Sequence, residues 1–193
     1  DKTIRVWSVS PDGRKAHLAR TLRGHIEDGR AGQMAAAALS PPDAGGRQRW
    51  LAVGGFLAGP GTFQSAIRVH DYQTGEVHAL LRGQKDHVLA LAFSPSGRWL
   101  ASAGKDKQVR LWDMTRLEKG GLFKKHLVIG GHNDRVTALA WSPSGDRLST
   151  ASYDGTARLW DTSQVDTGKV KRVAILKGHT GKVRSVAFHP NGE

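Results

Sequence analysis

Residues 131–161, GHNDRVTALAWSPSGDRLSTASYDGTARLWD, open on Gly-His, close on Trp-Asp and hold three short strand-like runs between turn signals. The layout returns in altered form over residues 83–113, and Gln84 to Trp112 and His132 to Trp160 are each 28 residues apart. A unit repeated at fixed internal spacing restricts the fold severely. Each copy is too small to bury its own apolar face and has to stack on a neighbouring copy.

Other copies follow along the chain. Residues 1–9, DKTIRVWSV, match the end of a unit, with Asp1 six residues before Trp7 as Asp154 stands six before Trp160. A second unit starts at Gly24-His25, with strand slots at 34–39, 50–54 and 67–71, and its His25 and His70 are 45 apart, an excess of 17. The excess divides into about five residues within 26–33, about five within 42–49 and about seven within 55–65, all at turns, where insertion costs little. Strand slots recur at 77–81, 88–93, 99–103 and 109–113, then at 126–129, 136–141, 147–151, 158–161 and 173–176, and finally at 183–188. Residues 35–38, four alanines, favour helix by propensity, yet the register of the repeat assigns them to a strand. Short strands with turn signals every 8–12 residues specify an all-β architecture. The units fall at about 1–22, 23–81, 82–129, 130–176 and 177–193, one repeat domain.

These residues resemble the WD-repeat (WD40) family: Gly-His at 24–25, 131–132 and 178–179, Ser-Pro-x-Gly turns, and Leu-Trp-Asp at 111–113 and 159–161. The resemblance covers essentially the whole chain. It implies a β-propeller with four-stranded antiparallel blades, here about three full blades and two partial ones. It further implies a hydrogen-bonded tetrad bracing each blade, which in the template unit would join His132, Ser152, Asp154 and Trp160. In the third unit Asp106 and Trp112 match, while Gln84 stands for the His and Gly104 for the Ser. In the second, His25 matches, while Gln64 and His70 stand for the Asp and Trp. Asp1, Trp7 and His179 are remnants at the two ends. One tetrad is therefore expected complete, and the second blade is expected to be the least braced. A His-Ser-Asp set also suits a catalytic triad. The bracing role is preferred, because the indole engages the hydroxyl and no oxyanion hole is evident.

Two strands, three sets of four and one more do not close a ring, so the other blades are expected from the rest of a longer parent chain. Self-association, with 183–188 of one copy beside 4–7 of another, is the alternative. Chains of this kind rich in Gly, Ala and Arg further suggest, through the family, a bacterial origin and company with signalling domains such as nucleotide-switch ATPases or kinases.

The chemistry expected of the chain is that of a surface. There are no cysteines, which excludes disulfides and thiolate metal sites and fits a reducing, cytoplasmic compartment. No apolar run is long enough to cross a bilayer, no membrane partner is expected, and no leader is visible. Residues 55–61, GFLAGPG, are not followed by the helix that phosphate binding needs. No histidine pair has metal-ligand spacing, and His70 and His78 could meet across a hairpin as a packed pair. No cofactor and no catalytic residue is expected. In the family, the loops before the first strand and between the second and third share one face, the top. There the resemblance collects Phe56, Leu57 and Phe63 with His87, Lys105, Arg135, Tyr153 and Lys182. Aromatic groups rimmed by cations suit a protein-binding hot spot, while Phe56 and Phe63 could equally pin their own loop. The net charge of +12 raises nucleic acid or another acidic polymer as a second partner class, against an even spread of charge over every unit.

Overall fold

Alternation of small and branched apolar residues along each slot produces a stack of antiparallel sheets. The computed structural model describes residues 3–23, 33–56, 65–117, 121–123 and 126–192. Asp1, His25, Leu57, Phe63 and Gln64 lie outside the described residues, and of Phe56 only the backbone is described.

The first sheet is a hairpin of β1 (Thr3–Val9) and β2 (Ala16–Arg23). The second contains β3 (Gln33–Leu39), β4 (Trp50–Phe56), β5 (Ile67–Asp71) and β6 (Val77–Leu81), each antiparallel to the next. The third contains β7 (Val88–Phe93), β8 (Trp99–Gly104) and β9 (Gln108–Asp113). A 3-10 turn over Met114–Arg116, capped by the Asp113 side chain, leads to β10 (Gly121–Phe123). The third sheet is completed by β11 (Leu127–Gly131), paired with β9. The fourth runs β12 (Val136–Trp141), β13 (Arg147–Ser152), β14 (Ala157–Asp161) and β15 (Lys171–Leu176). These are propeller blades, with first strands β3, β7 and β12 side by side at the inner edge. The alanine run does lie in β3, so cross-strand pairing with β4 outweighs helix propensity.

Two features differ from the sequence reading. β10, in the connector, pairs parallel with β6 and gives the second blade a fifth strand at its outer edge. Residues 183–188 form no strand, and among the described residues no strand pairs with them. Val183 alone is seated, buried and donating its N–H to Ser152 O at 3.0 Å.

The core lies in layers between blades. Strand side chains alternate in direction, so β8 and β9 serve two layers at once. Leu100 and Trp112 pack with Trp50, Ile67, Val69 and Leu81 of the second blade. Trp99, Ala101, Val109 and Leu111 pack with Val136, Leu148 and Trp160 of the fourth. Every residue of β8 is buried as a result, as expected for a strand covered on both faces. Hairpin turns shape the opposite end: Gly145, at φ +78, closes the turn whose Ser142 N–H donates to Arg147 O at 2.9 Å. The first hairpin is tied to the second blade through Arg20, whose guanidinium donates to Tyr72 O and Gln73 O at 2.5 and 2.7 Å.

Candidate functional site

The polar groups buried inside the blades form braces, each joining the loop before the first strand to the second strand, the loop that follows it and the third strand. In the fourth blade His132 Nδ1 meets Asp154 Oδ2 at 2.9 Å, and His132 Nε2 meets Thr150 Oγ1 at 2.8 Å. The Trp160 indole N–H donates to the same Thr150 hydroxyl at 3.2 Å. With Nδ1–H donating to the carboxylate, Nε2 accepts from Thr150 and Thr150 accepts from Trp160, so every group is satisfied. The hydroxyl in the brace is therefore Thr150, which corrects the expectation of Ser152. Ser152 instead donates to Asp134 O and accepts the Asp154 N–H, both at 3.0 Å, and so fastens the loops before β12 and after β13.

The third blade holds a second brace that the pattern concealed. Trp112 Nε1 and Gln84 Nε2 both donate to Ser102 Oγ, at 2.7 and 2.5 Å. Arg110 Nη1 donates to Gln84 Oε1 at 2.8 Å and to Asp106 Oδ2 at 2.7 Å. Gln84 thus holds the histidine's place with a guanidinium bridging it to the carboxylate. The hydroxyl is supplied by Ser102, two residues before the Gly104 that the repeat pattern aligns with the family serine. Gly104 is required by close approach: a Cβ there would lie 1.9 Å from His87 O. Arg158 is the matching cation of the fourth blade, 3.5 Å from Asp154 and bonded to Gly131 O. The Arg that precedes Leu-Trp-Asp in both units was the available signal for this pair.

Ionisation follows from these contacts. Burial holds the His132 imidazolium below the ordinary histidine range, assisted by Arg158 and opposed by the bond to Asp154. Burial opposes the charged form of Asp154 too. Donation from the Thr156 hydroxyl, the Asn133 N–H and His132 outweighs it and holds the carboxyl far below the usual range.

In the second blade His70 occupies the indole's place, and its Nδ1 meets Gly75 O at 3.0 Å. His78 does not meet His70 but packs on Trp50, ring centroids 4.5 Å apart. Trp7 and His179 are exposed.

The surface candidates follow the braces. Lys105 N–H donates to His87 O at 2.9 Å, and at the equivalent place Tyr153 N–H donates to Arg135 O at 3.1 Å. The two loop pairs thus repeat one geometry on adjoining blades, at the ends of β7 and β12. The Tyr153 ring gathers three cations: Lys182 Nζ at 4.9 Å, Arg135 Cζ at 5.2 Å and Arg184 Cζ at 5.5 Å from its centroid. Arg184 was not singled out by sequence reasoning, although it follows Lys182 by two and therefore shares its side of the chain. Asp86, beside His87 at 2.6 Å, keeps its carboxyl below the usual range: bonds from His87 and the charge of Lys105 overcome burial. Among the described residues no group of three His, Asp or Glu side chains could hold a metal ion, and no helix is long and apolar enough to cross a membrane.

The family model for the WD domain, G-beta repeat, matches residues 75–113, 123–161 and 170–193, together just over half of the chain. The chain belongs to the WD40 repeat family. Among curated relatives, coronin-7 of Rattus norvegicus is 35% identical over 116 residues, 58% of this chain and 11% of that protein. Pre-mRNA-processing factor 19 homolog 2 of Arabidopsis thaliana is 38% identical over 63 residues, 33% of this chain and 12% of that protein. Human WD repeat-containing protein 36 is 39% identical over 49 residues, 25% of this chain and 6% of that protein. The match thus spans about a ninth of the length of coronin-7. WD40 repeats are protein-interaction modules, and the stacked blades give this chain the architecture of one.

Proposed function

We propose that this WD40 segment is a non-catalytic scaffold that holds protein partners on its top face, as part of a propeller completed by further blades of a longer chain. The observation that carries the reading is the repeated loop pair, His87–Lys105 and Arg135–Tyr153, which lines adjoining blades with the same backbone bond and presents side chains of differing chemistry. A rigid frame bearing variable contact groups suits recognition. The polar residues that resemble a triad are occupied in bracing: His132 is saturated by Asp154 and Thr150 and buried beneath the loop. Two of the long insertions of the second unit, 26–33 and 55–65, belong to the same face by repeat register, and Phe56, Leu57 and Phe63 remain candidate contacts there. A signalling context inside a multidomain protein is consistent with this role.

Site-specific photo-crosslinking tests the reading. A crosslinker at position 153 or 105 is expected to capture a protein that the same reagent on β2, at position 17, does not. Equal capture from both places would overturn the assignment of the top face. The charge of +12 supports nucleic acid as a second reading. That reading requires an affinity that falls steeply with salt.

A further inference from the structure

Three cations gather around the Tyr153 ring. Lys182 and Arg184 flank Val183, which is buried, donates its N–H to Ser152 O at 3.0 Å and accepts from Thr137 Oγ1 at 2.9 Å. Alternation along an extended backbone sends both flanking side chains away from the buried one, onto the ring that also carries Arg135. Arg135 is fixed in turn by the Tyr153 N–H on its carbonyl. Three positive groups therefore converge on one aromatic ring, each within 5.5 Å of its centroid. Like charges gathered on one ring disfavour one another, and an anion between them would relieve that. Among the described residues the one carboxylate paired with them is Asp134, 3.8 Å from Arg135 Nε, and its Oδ1 already accepts the Arg135 backbone N–H at 2.6 Å. No carboxylate among the described residues pairs with Lys182 or Arg184.

We infer that this cluster binds a single oxyanion-bearing side chain, carboxylate or phosphorylated, on an extended segment of a partner protein. The inference rests on the proposed protein-docking role of the top face and names the chemistry recognised there. Two guanidinium forks and an ammonium suit one compact anion, and the phenol ring supplies an apolar surface for the segment that carries it. Loops held in place before binding lose little freedom on binding. A nucleic acid is disfavoured by the neighbours. Asp134 and Asp86, both half-exposed, stand at the flanking loops, and they would repel a backbone carrying a charge at every phosphate.

Fluorescence anisotropy on the 193-residue chain tests this with short labelled peptides that differ only at one central residue: glutamate, phosphoserine or glutamine. A single-stranded oligodeoxynucleotide is the fourth probe. Reversing two charges of the cluster, Lys182→Glu with Arg184→Glu, is expected to weaken an anionic peptide by about tenfold or more at about 0.15 M salt. The same reversal at the distant, exposed Arg14 and Lys15 is expected to change it less than about twofold, and Tyr153→Phe keeps the ring and the binding. Preference for glutamate or for phosphoserine identifies which anion the site takes, and either supports the inference. Equal weakening by both reversals, equal affinity for the glutamine peptide, tighter binding of the oligonucleotide, or no binding of any peptide each overturns it. Crosslinking at position 153 decides the docking role separately, so the two failures are distinguishable.

Discussion

At the scale of residues, stability is concentrated in hydroxyls that receive two partners. Thr150 Oγ1 serves His132 and Trp160 together. Thr150→Val keeps the volume and leaves an indole N–H and an imidazole nitrogen unpaired in a buried site, so it is expected to cost about 1–3 kcal/mol in urea denaturation. Gly104→Ser, which on the repeat pattern would restore a serine, is expected to destabilise instead, because its Cβ would collide with His87 O. Unchanged stability for Gly104→Ser would refute that close approach. The brace also sets a pH dependence. The His132 pKa is depressed on folding, so between its folded value and about 6.5 the unfolded chain binds more protons and stability rises with pH. Its contribution is fully present above about 6.5 and declines as pH falls below that. Asp154, also depressed, adds a loss that begins below the usual carboxylate value of 3.8. His132→Gln, which borrows the Gln84 solution, is expected to flatten the midpoint between pH 8 and 5 in a thermal-melt series. The sequence displayed the brace and its partners but not its hydroxyl. Positions 150 and 152, like 102 and 104, lie on the same side of a strand with period two, and spacing alone does not separate them.

At the scale of elements, the repeat register carried most of the fold: β3 to β9 and β12 to β15 lie in or next to the slots that the 28-residue spacing assigns. The exceptions depend on pairing that a single strand's sequence does not specify. β10 is three residues inside a connector and exists through its parallel partner β6. Residues 183–188 carry an apolar pattern like that of β12, and among the described residues no strand pairs with them. Proline at both positions 122 and 123 removes the N–H groups that β10 offers to the ladder. Amide exchange at Ala79–Leu81 is expected to accelerate in that variant while β8 keeps its protection. Equal rates in both strands would show that β10 does not shield the edge.

At the scale of the molecule, apolar side chains remain open on both outer sheets. Trp7 and Val9 of β1 are 54% and 58% exposed, and Val173 and Leu176 of β15 are exposed too. Such surfaces invite further blades or other copies. Sedimentation is expected to show concentration-dependent association of this chain, reduced in one extended by the further blades proposed above. Association unaffected by such an extension would contradict the view that these surfaces belong between blades. The interior between blades was legible because tryptophans and branched residues recur on schedule. The cluster on the Tyr153 ring was only half legible: repeat register names Arg135, Tyr153 and Lys182, while Arg184 joins them through the seating of Val183. Hydrogen–deuterium exchange of the chain with and without a bound anionic peptide addresses the central claim directly. Protection confined to residues 133–137, 153–155 and 179–184 is the expected result, and protection on β1 or β15 with none at Tyr153 would contradict it.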